Sequence, residues 1–312
     1  MSLRIAVIGV GYLGRHHARI LSTLPGVELV AVVDVNPSRA ERVAADNGTR
    51  ALTDFRDVIG RADAVTIAVP TEQHRDVTLP FLSSGVSVLI EKPMARSLDE
   101  ADAMIAAARQ SGVVLAVGHT ERFNPAVETA RALLTDPRFI EGHRLGTFPE
   151  RSLDIDVVFD LMIHDLDVVL SLVGSEVESI EAVGVPVLTG RVDIANARLR
   201  FANGCIANLT ASRISRDRVR RIRFFQPATY LSIDYAAQKV ERWHLLRTEG
   251  SPPSIQGGDV EVVNEEPLKR ELADFVQAVA SRRPPAVTGE DGRRALALAE
   301  AITRQIALTM RT

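Results

Sequence analysis

The stretch LRIAVIGVGYLG, residues 3–14, decides the fold of this chain. Residues 3–8 are apolar enough to form a buried strand, and the glycines at positions 9, 11 and 14 predict a tight turn into a helix. An acid, Asp34, follows at the end of a second apolar run, residues 29–33. Strand, glycine-rich turn, helix, strand and acid in this order are the fingerprint of a dinucleotide-binding unit.

Each position of this fingerprint has a physical task. Gly9 allows the tight turn, Gly11 lets the backbone approach a pyrophosphate, and Gly14 lets the helix pack closely on the strand. The N-terminus of that helix favours bound phosphate groups. Asp34 is suited to accept hydrogen bonds from ribose hydroxyls and to repel a 2′-phosphate, so we expect NAD rather than NADP. Arg39 lies nearby and weakens that preference.

Residues 1–119 alternate between strand-like and helical patterns. Continuous apolar strands between helices predict a doubly wound parallel sheet covered on both faces, and we interpret this region as an NAD-binding Rossmann domain. The predicted strands are 3–8, 28–33, 63–69, 86–90 and 113–117, and the predicted helices are 14–22, 37–47, 72–84 and 98–111.

Residues 120–312 follow a different pattern, which predicts an α+β domain for substrate binding and oligomerisation. Strands follow one another without helices, and Asn203-Gly204 is a hairpin signal, so we expect a large, mostly antiparallel open sheet. A homodimer or homotetramer through this sheet would cover its broad face. The predicted strands are 139–148, 178–187, 193–201, 205–213, 219–226, 229–235 and 238–246; the predicted helices are 154–173, 267–281 and 291–310; and 250–266 is predicted as a loop.

The composition excludes several classes of protein. The chain has 312 residues, which suggests about two domains, and its net charge of −3 argues against a general nucleic-acid surface. The single cysteine, Cys205, excludes an internal disulfide framework and is interpreted as a small buried apolar residue. The chain contains no apolar run long enough to span a bilayer and no leader pattern, so we expect a cytoplasmic protein that does not bind membranes.

Two segments carry residues suited to acid–base chemistry. Glu91-Lys92-Pro93 follows a predicted parallel strand, where Lys92 is placed to reach a substrate; the alternative is a surface lysine. Asp160 and His164 are four residues apart in a predicted helix and therefore share a face, where the carboxylate would fix the imidazole tautomer. The alternatives for that pair are a surface pair or a satisfied core histidine.

Arginines supply candidates for substrate binding. Arg122, at the predicted domain junction, is suited to hold an oxygen-rich substrate or to form an inter-domain ion pair. Six arginines fall between positions 213 and 223, which predicts either a solvated sheet face or contact with a diphosphate. Arg144 and Arg151 are further candidates. His16 and His17 are predicted at a helix surface, and the histidines lack metal-ligand spacing, so we expect no metal.

The chain resembles the glucose–fructose oxidoreductase, inositol dehydrogenase and MocA (Gfo/Idh/MocA) family over essentially its whole length. The resemblance rests on the glycine motif, on Glu91-Lys92-Pro93, and on Asp160 and His164 as DxxxH. It implies that Lys92, Asp160 and His164 are catalytic and that Arg122 contacts substrate. It also implies NAD-dependent oxidation of a secondary sugar hydroxyl.

Three segments, 117–125, 161–167 and 193–198, are similar to a subgroup of this family that oxidises the 3-hydroxyl of UDP-N-acetylglucosamine. One alternative is a dehydrogenase of a free polyol or monosaccharide such as inositol, and another is a non-catalytic NAD-binding sensor. In the expected mechanism His164 is the general base, Asp160 orients it, and Lys92 binds the reacting oxygen.

These inferences predict the following contacts. We expect NAD to contact Gly9, Gly11, Tyr12, Leu13, Gly14, Asp34, Arg39, Val69, Pro70, Thr71, His74, Glu91 and Lys92. We expect the substrate, a sugar or nucleotide sugar, to contact Lys92, Arg122, Asn124, Arg144, Arg151, Asp160 and His164.

Overall fold

The computed structural model describes residues 2–148, 155–247 and 252–310. The residues group into two compact units, Met1–Thr120 with Glu266–Leu296, and Glu121–Glu265 with Ala297–Thr312. The predicted α/β class, with a Rossmann sheet and a second, mostly antiparallel sheet, is confirmed. The division into domains at residue 119 stays a prediction.

Within the described residues, the first unit is built on a six-stranded parallel sheet with the order β3-β2-β1-β4-β5-β6. All five strands predicted for this region are present, and the three-residue strand β3 is an addition. The strands are β1 (Leu3–Ile8), β2 (Val27–Val33), β3 (Arg50–Leu52), β4 (Ala64–Ile67), β5 (Ser87–Glu91) and β6 (Leu115–Gly118).

Helices cover this sheet and supply its core. The side chains of Ile5 and Val7 on β1 pack in one buried cluster with Leu21 of the first helix and Phe275 of a helix close to the C-terminus. Burying such apolar side chains is the main favourable term in folding. The helices of this unit are α1 (Gly14–Leu21), α2 (Pro37–Asn47), α3 (His74–Ser83), α4 (Leu98–Ser111) and α7 (Pro267–Ser281).

The second unit contains an eight-stranded sheet among the residues described, with the order β14-β13-β12-β11-β7-β10-β9-β8. Neighbouring strands are antiparallel except β7 and β10, which are parallel. The strands are β7 (Phe139–Leu145), β8 (Val177–Val185), β9 (Ile194–Phe201), β10 (Ile206–Ser212), β11 (Val219–Gln226), β12 (Thr229–Asp234), β13 (Lys239–Leu246) and β14 (Ser254–Val260).

Strand β14 corrects one prediction, because it lies inside the segment 250–266 that was predicted as a loop. Its sequence, SIQGGDV, contains two adjacent glycines and has little apolar alternation. The strand forms because its backbone pairs with β13, from Val240 opposite Val260 to Leu246 opposite Ser254. Backbone pairing with a distant strand leaves no local signal in side-chain pattern.

The helices of the second unit also differ from the predictions. α5 (Pro125–Leu133) was not predicted, and the predicted helix 154–173 is two elements, a π-helical turn over Val158–Met162 and then α6 (Ile163–Val173). π-helical turns are uncommon and frequent at functional sites. The last helix, α8 (Gly289–Thr309), contributes residues to both units.

Candidate active site

The glycine-rich turn after β1 has the geometry expected of a diphosphate cradle. Gly9 has a φ of +83°, and its N–H donates to Val33 O at 2.8 Å, which joins the turn to β2. A Cβ on Gly14 would lie 1.8 Å from Gly9 O, whereas a Cβ on Gly11 would meet nothing within 4 Å. The backbone is therefore closely packed beneath the turn and open above Gly11, where a ligand can approach. Tyr12 and Leu13 are exposed beside it.

Asp34 is held firmly where β2 ends. Its side chain is 5% exposed and accepts hydrogen bonds from the N–H groups of Val10 and Asn36, at 3.1 and 2.9 Å. Arg39 Nη1 lies 3.2–3.3 Å from both carboxylate oxygens. Asp34 is thus fixed as an acceptor, and Arg39 offsets part of its negative charge. The residues present fit an adenine dinucleotide.

Val69, Pro70 and Thr71 follow β4, which lies next to β1 in the sheet. Val69 and Thr71 are half-buried and Pro70 is exposed. His74, which begins α3, is only 1% exposed, and its ring nitrogens lie against backbone carbonyl oxygens. Contact of His74 with NAD stays a prediction, and the burial of its ring does not support it.

Glu91 and Lys92 lie at the carboxyl end of β5. Glu91 is 7% exposed and accepts a hydrogen bond from His17 Nε2 at 3.0 Å, while Lys92 is half-buried. Burial acts to raise the pKa of Glu91, but the hydrogen bond from His17 and the charges of His17 and Lys92 bring it below its ordinary value. Glu91 is therefore a carboxylate at neutral pH. The Lys92–Pro93 peptide bond is cis.

His17 corrects a second prediction, since it was expected at a helix surface. It is 1% exposed and lies on the buried face of α1 together with Gly14, Ala18 and Leu21. This spacing was visible in the sequence, because positions 14, 17, 18 and 21 share one side of a helix. His16, the other histidine expected at the surface, is half-buried.

In the second unit, Asp160 and His164 lie on either side of the junction between the π-helical turn and α6. Both residues are half-buried, between neighbours that are fully buried, such as Met162 and Ile163. The structure therefore places the two predicted catalytic residues of this unit in consecutive helical elements, with part of each residue accessible.

Arg122 and Arg144 are both engaged in ion pairs inside the second unit. Arg122 donates two hydrogen bonds to Asp167, at 2.8 and 2.9 Å. Arg144 is 4% exposed and donates to both oxygens of Asp165, at 2.8 and 3.0 Å, and to Glu121 Oε1 at 2.9 Å. Substrate contacts of these arginines stay predictions, and for Arg144 the burial and paired charge do not support one.

Asn124 also has a structural task. Its Oδ1 accepts from Ala126 N–H at 3.1 Å and caps α5, and its Nδ2 donates to Tyr235 O at 3.0 Å and to Glu121 Oε2 at 3.2 Å. Sequence reasoning gave no role to Glu121, nor to Asp165 and Asp167 on α6. For Asp165 and Asp167 the signal was charge within an apolar helical segment, because buried charges are normally paired. Arg151 lies outside the described residues.

The arginine-rich stretch 213–223 divides between buried and surface ion pairs. Arg213 is 1% exposed and donates to Asp193. Arg221 and Arg223, on β11, pair with Asp234 and Glu141 on the neighbouring strands β12 and β7.

Cys205 is fully buried, and burial raises the pKa of its thiol to about 11, so it is not a nucleophile. Among the described residues no helix is long and apolar enough to cross a membrane. In the same part of the chain, no cluster of three or more histidine, cysteine or carboxylate side chains could hold a metal ion.

Comparison with known proteins gives matches along most of the chain. Residues 3–119 match the oxidoreductase family with an NAD-binding Rossmann fold, and residues 127–226 match the GFO/IDH/MocA C-terminal domain. UDP-N-acetylglucosamine 3-dehydrogenase from Acidithiobacillus ferrooxidans is 41% identical over 301 residues, 95% of each chain. A solved structure of that enzyme has a TM-score of 0.92 and covers 98% of both chains.

A more distant relative is scyllo-inositol 2-dehydrogenase (NAD(+)) from Bacillus subtilis. It is 30% identical, with 93% of this chain and 90% of that protein covered. The glycine-rich turn, the fixed Asp34 and the family match over residues 3–119 agree on the cofactor, which is NAD. The chain belongs to the Gfo/Idh/MocA family of NAD-binding oxidoreductases.

Proposed function

We propose that this chain oxidises the 3-hydroxyl of UDP-N-acetylglucosamine to a ketone, with NAD as the acceptor. The observation that carries the proposal is the 41% identity to the Acidithiobacillus enzyme of that name across 95% of both chains. The TM-score of 0.92 between this chain and that enzyme's structure supports the same substrate class. Both similarities extend over most of both units.

Lys92, Asp160 and His164 would carry the chemistry. In the proposed reaction His164 takes the proton of the substrate hydroxyl, and Asp160 orients the imidazole and stabilises its charged form. Lys92 binds the reacting oxygen and stabilises the negative charge that develops on it. NAD, when bound, accepts the hydride from the carbon. These residues need only hold the oxygen and move its proton.

The arginines of the second unit help to distinguish a nucleotide sugar from a free polyol as the substrate. A nucleotide sugar carries a diphosphate, which guanidinium groups bind well. Because Arg144 is buried with two carboxylates, we propose that the diphosphate contacts come from Arg151 and from the exposed arginines at positions 216, 218 and 220. A free polyol would need none of them.

The test is production of NADH by purified protein with NAD and UDP-N-acetylglucosamine, with a ketone trap to pull the equilibrium. Growth of NADH that depends on the nucleotide sugar supports the proposal. Signal only with inositol or a free hexose would keep the oxidoreductase chemistry and overturn the substrate, in line with the relationship to the inositol dehydrogenase. NAD binding without turnover on any sugar would favour a sensor.

The proposal also includes the location, the assembly and the domain division of the enzyme. We propose that the protein works in the cytoplasm on a small-molecule substrate, and that two or four copies assemble through the sheet β7–β14. We further propose that residues 1–119 and 120–312 are its two functional domains. Size-exclusion chromatography with light scattering would test the assembly, and a monomer at micromolar concentration would contradict it.

A further inference from the structure

The residues on both sides of Lys92 are each held by a buried histidine. His17 Nε2 donates to Glu91 Oε1 at 3.0 Å, directly before the lysine. His74 Nδ1 lies 3.0 Å from Pro93 O, directly after it. Both imidazole rings are 1% exposed. They come from different helices, α1 and α3, so the lysine segment is fixed from two directions.

A buried histidine at position 17 has an energetic cost. The Nδ1 atom of His17 is buried and has no hydrogen-bond partner among the residues that the structure describes. A buried polar atom without a partner costs about 1–3 kcal/mol, which an apolar side chain at this position would avoid. The gain from histidine at position 17 must therefore come from the contact with Glu91.

His74 stands between two acceptors. Its Nδ1 faces Pro93 O and its Nε2 faces Val69 O at 2.9 Å. Burial lowers the pKa of His74, although the two carbonyls and the nearby Glu91 act to raise it. A neutral imidazole has one N–H and donates to only one carbonyl at a time. The ring nevertheless joins the segment after β4 to the segment after β5, both of which are expected beside the cofactor.

The neighbouring strand restrains Glu91 as well. A Cβ on Gly118, in β6, would lie 3.1 Å from Glu91 Oε2 and 3.3 Å from Glu91 Cα. The carboxylate is therefore packed between β6 and His17, with little room to change its rotamer. Because the lysine side chain is long and flexible, its placement depends on how well its own backbone is fixed.

We propose that His17 and His74 are positioning residues that hold the backbone of Lys92 for its reaction. The inference rests on the proposed function, in which Lys92 binds the reacting oxygen. His17 acts through Glu91 and His74 through Pro93. Neither imidazole touches the substrate. A shift of about 1 Å in a catalytic group can cost about a hundredfold in rate, so loosening either side of Lys92 lowers kcat.

Amide side chains allow a reciprocal test, because asparagine places its amide nitrogen near the position of histidine Nδ1 and glutamine places it near Nε2. At position 17 the important atom is Nε2, so His17→Gln keeps the donor to Glu91 and His17→Asn loses it. At position 74 the atom that faces Pro93 O is Nδ1, so His74→Asn keeps a nitrogen donor at that carbonyl. His74→Gln keeps only the contact with Val69.

We expect kcat of His17→Asn to be about tenfold below that of His17→Gln, and kcat of His74→Gln to be about tenfold below that of His74→Asn. The KM for NAD and the melting temperature should be similar within each pair. A general loss of core stability would not favour glutamine at position 17 and asparagine at position 74. Equal kcat values within the pairs, or kcat that simply follows melting temperature, would overturn the inference.

Lys92→Ala, measured in the same series, separates this inference from the proposed function. If Lys92→Ala is inactive and all four histidine variants turn over like wild type, the positioning role is wrong and the role of Lys92 stands. If Lys92→Ala keeps wild-type turnover, the role of Lys92 is wrong and the positioning role falls with it. An inactive Lys92→Ala with the reciprocal pattern supports both.

Discussion

The carbonyl oxygen of Gly9 occupies the space that a side chain on Gly14 would need, since a Cβ on Gly14 would lie 1.8 Å from it. Gly11, between them, has open space on its Cβ side. Gly11 and Gly14 therefore have different roles. Gly14 is required for packing of α1 against the turn. We expect Gly11 to be required for the approach of the cofactor.

Alanine at these two positions should separate stability from NAD binding. We expect Gly14→Ala to lower the free energy of unfolding by about 2–3 kcal/mol, because overpacking must be relieved by backbone movement. Gly11→Ala should keep the melting temperature of wild type and weaken NAD binding by about tenfold or more, since the methyl group would fill the cradle. Thermal unfolding and NAD titration measure the two effects. A stable Gly14→Ala protein, or unchanged affinity in Gly11→Ala, would contradict this assignment.

The pair formed by Asp34 and Arg39 should set the preference between NAD and NADP. Asp34→Asn removes the charge that repels a 2′-phosphate, so we expect the ratio of the two dissociation constants to move toward NADP by about tenfold. Arg39→Ala should move the ratio toward NAD, because the carboxylate loses its partner and Arg39 no longer offers a cation to the phosphate. Calorimetry with both cofactors measures the ratio. Shifts in the same direction for both variants would show that the charges of this pair do not control the choice.

The glycine motif and the strands of the first unit could be predicted because their signals are local. Turn glycines, apolar runs and the acid after β2 all lie within a few residues of what they form. The buried position of His17 also had a local signal, in the spacing of Gly14, His17 and Leu21, but the histidine type favoured a surface interpretation.

Other features depend on distant partners and had no such signal. Strand β14 exists through backbone pairing with β13, and its two glycines argue locally for a loop. Arg144 has the residue type of a substrate ligand, yet Glu121 and Asp165, both more than twenty residues away, take up its guanidinium. Tertiary structure decides which charged groups form ion pairs. The sequence therefore suggests more substrate-binding residues than the structure leaves accessible.

Removing either Lys92 or His164 should strongly lower turnover without abolishing cofactor binding. We expect Lys92→Ala and His164→Ala each to lower kcat by about 10²–10⁴, the usual contribution of a group that moves or stabilises a proton. NAD affinity should stay within about threefold, since Lys92 is only one of many expected NAD contacts and the glycine cradle and Asp34 are unchanged. Lys239→Ala, at the exposed start of β13, is the matched lysine control. A variant with the turnover of this control would remove that residue from the mechanism.

Asp193 should make the stability of the second unit depend on pH. The residue is fully buried and accepts the N–H groups of Val187, Leu188 and Thr189 at 2.7–2.9 Å, together with the Thr189 hydroxyl and Arg213. Burial acts to raise the pKa of this carboxyl, but the donors of Thr189, Leu188 and Val187 hold it well below its ordinary value. A depressed pKa means that the folded state favours the ionised form.

The sign of the effect follows from that direction. A group whose pKa is lower in the folded state contributes stability that is fully present above its unfolded value, about 3.9, and is lost as the pH falls through the folded value. Asp193→Asn cannot satisfy the same donors and leaves Arg213 without its buried carboxylate. We therefore expect this variant to be about 3–5 kcal/mol less stable than wild type at neutral pH.

The difference between wild type and Asp193→Asn should then be constant from neutral pH down to about pH 5 and should shrink below about pH 4. Urea unfolding of both proteins at a series of pH values measures it, with Asp46→Asn, an exposed carboxylate on α2, as the control. The control should match wild type at every pH. A difference that stays constant to pH 2 would mean that the lost hydrogen bonds, and not the charge of Asp193, stabilise the loop. Because Arg213 also donates to Ile155 O, ahead of the π-helical turn, and to Val192 O, ahead of β9, loss of the charge should loosen that turn first.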